Sequence, residues 1–98
     1  MAFFLKVHES DDDCVVAICD EDILGKVFSC GDFVLDVDSD FFGGKLVDID
    51  EIVDALEGAS SVNVVGSRII DELLLRGIVS DSSVKIVDGV KFAHIYRV

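Results

Sequence analysis

Alternating apolar and polar positions in the first third of the chain predict antiparallel β-structure. The runs FFLKVH (3–8) and CVVAIC (14–19) are strand-like, and the acidic segment ESDDD separates them as a short hairpin loop would. The segment DEDILGK (20–26) indicates one helical turn at the sheet edge. Residues 32–38 then alternate cleanly between apolar and polar side chains, which predicts a third strand.

Helical spacing replaces alternation after residue 47. Asp48 is followed three positions later by Glu51, the spacing of a capping box, and Gly58 supplies a stop. The apolar stripe between them has helical spacing and consists of Ile49, Ile52, Val53 and Leu56. The segment SSVNVVGSRIIDELLLRG (60–77) predicts a second helix that ends at Gly77.

A two-residue connection, Asp88-Gly89, joins two alternating runs near the end of the chain and predicts a tight hairpin with a primed turn. In that register Val87 faces Val90. The predicted order is β-β-β-α-α-β-β. We therefore expect one α+β domain over residues 1–98, with a mostly antiparallel sheet of about five strands and both helices on one face.

Composition supports a folded domain and restricts its partners. The chain has 98 residues, 51% of them hydrophobic, and no apolar run approaches the ~20 residues that span a bilayer. We therefore expect no membrane partner. The net charge is −12, which repels phosphate backbones, so DNA is not expected as a partner.

Charge is divided unevenly along the chain. Residues 1–62 carry 16 acids and three bases, a net of −13, whereas residues 63–98 carry four acids and five bases, a net of +1. The 63–98 segment is thus a candidate surface for a protein or RNA partner. A solvated acidic face that maintains solubility is the structural alternative.

The three cysteines argue against a disulfide framework. Cys14, Cys19 and Cys30 are odd in number and form no CxxC pair, so reduced thiols in a cytoplasmic protein are expected. The close ligand pairs of a zinc site are missing as well. We expect neither a metal nor a cofactor.

The stretch DVDSDFFG begins as a calcium loop does, with acids at its positions 1, 3 and 5. The loop requires glycine at position 6 and glutamate at position 12, but Phe41 and Val47 stand there. The aspartates are expected instead to form the solvent-exposed side and the end of a strand.

The end of this stretch is the first candidate site. Phe42 is followed by Gly43 and Gly44, a turn in which backbone can approach a ligand closely. The structural alternative is that an aromatic ring enters the core while the glycines reverse the chain.

The segment NVVGSRII opens the predicted second helix and is the second candidate site. A helix start offers free N–H groups to an anion, with Asn63 as a cap, Gly66 allowing close approach and Arg68 able to bind the anion. Capping and tight packing explain Asn63 and Gly66 equally well.

Polar residues near strand ends supply the remaining candidates. His94 lies on a strand, on the side of Phe92, where histidine is usually structural but can titrate near neutral pH. Cys19 and Asp20 follow the second strand, with Lys26 shortly after. Cys19 and His94 form a conceivable nucleophile–base pair, although the sequence does not give their separation.

Four stretches resemble a known family in order and spacing: AICDEDILGKVF, FFGGKLVD, ASSVNVVGSRIID and VKFAH. They are similar to the small archaeal proteins of domain of unknown function 424 (DUF424). The resemblance implies an archaeal, cytoplasmic α+β protein with no assigned reaction and an association with translation or RNA handling. Its specific positions are Cys19, Asp20, Leu24, Gly25, Lys26, Phe42, Gly43, Gly44, Asn63, Gly66, Ala93 and His94.

The leading hypothesis is a non-enzymatic binding or accessory domain. It would hold a protein, an RNA element or a small anion with Lys26, the Asn63–Arg68 corner and the Phe42–Gly44 turn, and Asp20 and His94 are further binding candidates. One alternative is a small enzyme that uses Cys19 and His94. Another is an acidic adaptor or mimic surface for a basic protein.

Overall fold

The computed structural model describes residues 2–96, and within them eight strands and three helices alternate along the chain. The strands are β1 (Phe3–Glu9), β2 (Cys14–Asp20), β3 (Val27–Cys30), β4 (Phe33–Asp36), β5 (Lys45–Val47), β6 (Ser61–Val65), β7 (Lys85–Val87) and β8 (Val90–Tyr96). The helices are α1 (Ser39–Phe42), α2 (Ile49–Leu56) and α3 (Ser67–Leu75), and 3-10 turns lie at Glu21–Ile23 and Asp81–Ser83. No helix within these residues has the length and apolar character needed to cross a membrane.

Six strands form one sheet in the order β5-β1-β2-β6-β8-β7, while β3 and β4 form a separate hairpin. Every pairing in the large sheet is antiparallel except β2 with β6, which is parallel. The predicted β1–β2 and β7–β8 hairpins are both confirmed, the latter with Val87 opposite Val90. Asp88 and Gly89 have φ of 49° and 78°, as a type I′ turn requires.

Helices α2 and α3 cover one side of the sheet, which we call the helix face. Its core is closed and apolar, because both helices turn an apolar stripe toward the strands. Asp48 caps α2 as predicted, accepting a hydrogen bond from the Glu51 backbone N–H at 3.0 Å. The buried helix-face core includes Val16, Ile18, Ile52, Leu56, Val62, Val64, Ile69, Ile70 and Leu73.

The opposite side, which we call the hairpin face, is covered by α1 and the β3–β4 hairpin. A second core forms there around Ala17, Cys19, Val37, Phe42 and Val65. The ring of Phe33 on the hairpin stacks on Phe92 of β8, with centroids 5.5 Å apart. This cover is smaller than that of the helix face.

Two side chains of β1 hold α1 against the hairpin face. Lys6 Nζ donates to the Asp40 carbonyl at 2.7 Å, and His8 Nε2 lies 2.8 Å from the Phe41 carbonyl. The His8 ring also stacks on Phe41 at 4.8 Å. Because the last carbonyls of a helix have no partner within the helix, these contacts satisfy them and fix the short α1 in place.

The predicted α+β class, with a mostly antiparallel sheet and two helices on one face, is confirmed, but the number and order of elements are not. The observed order is β-β-β-β-α-β-α-β-α-β-β. Residues 61–65 form strand β6, not the start of a helix, because their β-branched valines bury both faces of a central strand.

The stretch DVDSDFFG also differs from the predicted single strand over 32–38. Its first residue, Asp36, is the last residue of β4. This strand pairs with β3 across the two-residue turn at Gly31 and Asp32. Asp36 is exposed on β4 as expected, but Asp38 caps α1, accepting from the Asp40 N–H at 3.3 Å. The third aspartate therefore lies in a helix that the alternation did not reveal.

A cleft on the hairpin face

The start of α3 is occupied by a carboxylate of the chain itself. Asp20, at the end of β2, accepts hydrogen bonds from the backbone N–H groups of Arg68 (3.0 Å) and Ile69 (2.9 Å). Burial raises the pKa of Asp20, and the two N–H bonds oppose that rise. The sequence made the N–H groups at the start of α3 candidates for binding an external anion. In the structure those of Arg68 and Ile69 donate to Asp20 of the chain itself.

Gly66 is required at this junction for two reasons. Its φ is 128°, a conformation that L side chains rarely adopt, and a Cβ there would overlap the Asp20 carboxylate. Asp20, Gly66 and the Arg68 backbone thus form one unit in the structure. The Arg68 side chain points to solvent beside it.

The glycines of the Phe42–Gly44 turn lie against backbone. A Cβ on Gly44 would overlap the Leu5 carbonyl of β1, and one on Gly43 would overlap the Ser39 carbonyl of α1. Phe42 is only 5% exposed and belongs to the hairpin-face core. The groups that closely approach the glycines of this turn are therefore the backbones of β1 and α1.

The structure separates Cys19 from His94. Both lie on the hairpin face, but β6 runs between β2 and β8, so roughly 10 Å of sheet separates their strands. Cys19 is fully buried, and burial, with smaller contributions from the carboxylates of Asp20 and Asp22, raises the pKa of its thiol to about 12. No nucleophile–base pair forms from these two residues.

A cleft of about 370 Å³ opens between β4 and α1 on one side and β6 and β8 on the other. It brings together Phe42, Asn63 and His94 among the candidates from the sequence. Lys26 is exposed at the start of the β3–β4 hairpin and does not line the cleft. The other cleft-lining residues are Leu35, Asp36, Phe41, Val64, Val65, Phe92 and Ala93.

Asn63 and His94 are direct cross-strand neighbours on β6 and β8. The Asn63 carboxamide makes no hydrogen bond within residues 2–96. Since no buried polar side-chain atom in that range lacks a partner, the amide must open into the cleft. His94 is exposed at the rim, and its ring contacts Tyr96 with centroids 4.4 Å apart.

Sequence reasoning missed Asp36 and Phe92 as parts of this cleft. Phe92 had an available signal, because it precedes His94 by two positions and shares its face. Asp36 had none, because its position at the cleft depends on the β3–β4 hairpin folding over the sheet. Within residues 2–96, no group of three or more histidine, cysteine or acidic side chains is arranged to hold a metal ion.

Comparison with known proteins identifies the family. The family model for the protein of unknown function DUF424 matches residues 8–98. The chain belongs to the DUF424 family. No curated protein matches it.

A crystal structure supports the DUF424 fold described above. It is that of an uncharacterized conserved protein from Methanopyrus kandleri, with a TM-score of 0.80 and 23% sequence identity. The alignment covers 98% of this chain and 91% of the other. At that identity the likeness concerns the fold alone.

Proposed function

We propose that this DUF424 chain is a non-enzymatic binding domain whose partner occupies the cleft at Asn63 and His94. The cleft presents one carboxamide and one imidazole between aromatic walls. Such a site can form two directional hydrogen bonds while apolar rings exclude water from the bound group. The corner of Asp20, Gly66 and Arg68 supports the cleft from behind by fixing α3 to the end of β2.

Asn63 carries the proposal. Asparagine is unfavourable in a central strand, and the neighbouring positions of β6 are valines and a serine. A structural asparagine in such a place would normally bond to a neighbour, but this amide has no partner within residues 2–96. A ligand that accepts from and donates to the amide explains both facts.

A polypeptide partner fits the cleft better than RNA or a small anion. Asp36 lines the cleft and repels phosphate, and the anion-binding end of α3 is already filled by Asp20.

All three cysteine thiols are unpaired, which supports the cytoplasmic, reducing location expected for an archaeal relative.

The enzymatic alternative has less support. Its nucleophile would be Cys19, whose thiol is buried and holds its proton to about pH 12. A thiol in that state is neither accessible nor activated.

Chemical-shift mapping of the isotope-labelled chain tests the proposal. Primary-amide and imidazole fragments are titrated into the protein, and we expect the perturbed signals to concentrate at Asn63, His94 and Phe92. The matched variant Asn63→Val should unfold at the same or a slightly higher temperature and lose these shifts. Shifts scattered over the surface, or unchanged in the variant, would refute the cleft as the binding site.

A further inference from the structure

A row of rings, half-buried at one end and exposed at the other, runs along β8 on the hairpin face. Phe92, His94 and Tyr96 alternate with side chains that face the helices, so all three point to the same side. The row begins under the β3–β4 hairpin, where Phe92 stacks on Phe33. It ends in the open, because Tyr96 is 75% exposed.

A second cleft adjoins the far end of this row. It has a volume of about 340 Å³ and lies around Tyr96, Val15 and the serines at the start of β6. The contact between the His94 and Tyr96 rings connects it to the first cleft. We call the surface that runs along β8 across these two clefts the ring groove.

Each end of the ring groove carries one carboxylate without a partner. Asp36 lines the first cleft and Asp13 the second. Neither side chain makes an ion pair or hydrogen bond within residues 2–96; the ion pairs described there join Lys45 to Glu51, Arg76 to Glu72 and Lys91 to Asp71. Both carboxylates are therefore available to an external cation.

No cation of the described chain neutralises the groove. Lys6 is on the same face but donates to the Asp40 carbonyl. Lys85 lies in a different cleft, at the tip of the β3–β4 hairpin. Arg97 is outside the described residues.

We infer that the ring groove binds an extended, basic polypeptide segment, an inference that rests on the proposed function of the cleft. Two arginine or lysine side chains stack on the rings and pair with Asp36 and Asp13. The row from Phe92 to Tyr96 spans roughly 13 Å, so the two basic residues stand about four positions apart in an extended segment. The Asn63 amide bonds to the backbone between them.

A single-stranded RNA could stack on the same rings, but the charges disfavour it. Proteins that bind single strands line the backbone path with cations. Here the groove ends in two carboxylates on a chain of net charge −12, which repel phosphates and attract a basic peptide.

Fluorescence anisotropy with a defined probe tests the inference. The probe is a labelled, capped peptide of sequence Gly-Arg-Thr-Val-Thr-Arg-Gly, and its control carries citrulline, a neutral isostere, at both arginine positions. We expect the arginine peptide to bind the full chain at least fivefold more tightly in 50 mM salt than the citrulline peptide. That preference should shrink in 300 mM salt, because exposed ion pairs are screened.

Charge-matched variants locate the effect. The double variant Asp13→Asn with Asp36→Asn should weaken binding of the arginine peptide about tenfold, in line with two exposed ion pairs. The control Asp50→Asn with Asp54→Asn makes the same charge change on α2, over the helix face, and should leave binding within twofold. Tyr96→Leu should weaken binding about threefold by removing one stacking ring.

The outcomes separate this inference from the proposed function. Equal binding of both peptides, with loss in Asn63→Val, would overturn the basic partner and retain the cleft. Equal weakening by the two double variants would show that net charge acts without the groove, and would also overturn the inference. Tighter binding of a ten-nucleotide oligouridine than of the arginine peptide would reassign the groove to RNA. Absence of fragment shifts at Asn63 and His94 in the wild-type chain would refute the proposed function itself.

Discussion

The two faces of the six-stranded sheet differ in how completely they are covered. On the helix face the strands contribute Val16, Ile18, Val62 and Val64, which are at most 1% exposed. On the hairpin face the same strands and their neighbours contribute Lys6, His8, Asn63 and His94. One sheet therefore has a side built for stability and a side that retains polar groups.

The strand residues of the helix face thus serve packing, whereas several strand residues of the hairpin face are polar and could contact a partner. A closed apolar core needs no specific polar group, whereas an amide that opens into a cleft is a poorer choice for a central strand than a β-branched side chain. The hairpin face keeps the polar side chains of Asn63 and His94 next to a cleft. The hairpin face is thus the place to search for a partner.

Truncating one core residue on each face gives the largest test of this contrast. Ile70→Ala, on the fully buried side of α3, should lower the free energy of unfolding by about 3 kcal/mol through lost burial and a cavity. Phe92→Ala, on the half-covered face, should lower it by only about 1.5 kcal/mol despite the larger ring. Urea unfolding measures both, and equal losses would show that the two faces are packed alike.

Asp20 fixes the start of α3 to the end of β2, and its removal should have the next largest effect. Asp20→Ala leaves two N–H groups at the start of α3 without their acceptor and should cost about 2 kcal/mol. Asp20→Asn keeps one oxygen acceptor and should cost about half as much. Hydrogen exchange at Arg68 and Ile69 should accelerate in both variants, and unchanged exchange would contradict the capping role.

The buried thiol of Cys19 makes the hairpin-face core sensitive to base. Its folded-state pKa of about 12 lies above the ordinary 9.0, so its contribution to stability is complete below pH 9 and is lost as pH rises from 9 to 12. Between pH 8 and pH 10 the free energy of unfolding should fall by about 1.4 kcal/mol from this group. The variant Cys19→Ala should lack that part of the pH dependence. If the free energy of unfolding falls equally with pH in both proteins, Cys19 is not the cause.

Asn63→Val gives the smallest effect and the opposite sign. Valine is the better residue in a central strand, and the amide it replaces has no bond within residues 2–96 to lose. We expect thermal and urea unfolding to show a gain of about 0.5 kcal/mol. A loss of stability would mean that the amide supports the fold, which would remove the main reason to assign it to a partner.

Local signals in the sequence predicted the elements that depend on a few adjacent residues. The Asp48–Glu51 cap and the Asp88-Gly89 turn appear in the structure as expected, and so does the β1–β2 hairpin. Each is specified by residues that are close together in the chain. The class of fold follows from them, because the strands and helices they define can pack in few ways.

Long-range contacts explain what could not be predicted. Asp20 accepts a hydrogen bond from Arg68, which lies 48 residues later at the start of a helix, and no pattern near Asp20 indicates that. Asn63 and His94 were both candidates, but their juxtaposition depends on β6 pairing with β8. The helical interpretation of residues 61–65 was wrong for a local reason: the density of β-branched residues there favoured a strand, and the apolar spacing was read with the wrong period.

The short strands at both ends of the sheet have a consequence for assembly. β5 and β7 have three residues each, and each carries a lysine, Lys45 on β5 and Lys85 on β7. Short edges that carry charge resist the addition of a strand from another molecule. We therefore expect these two edges to resist edge-to-edge polymerisation, and we expect neither to accept an added strand from a partner.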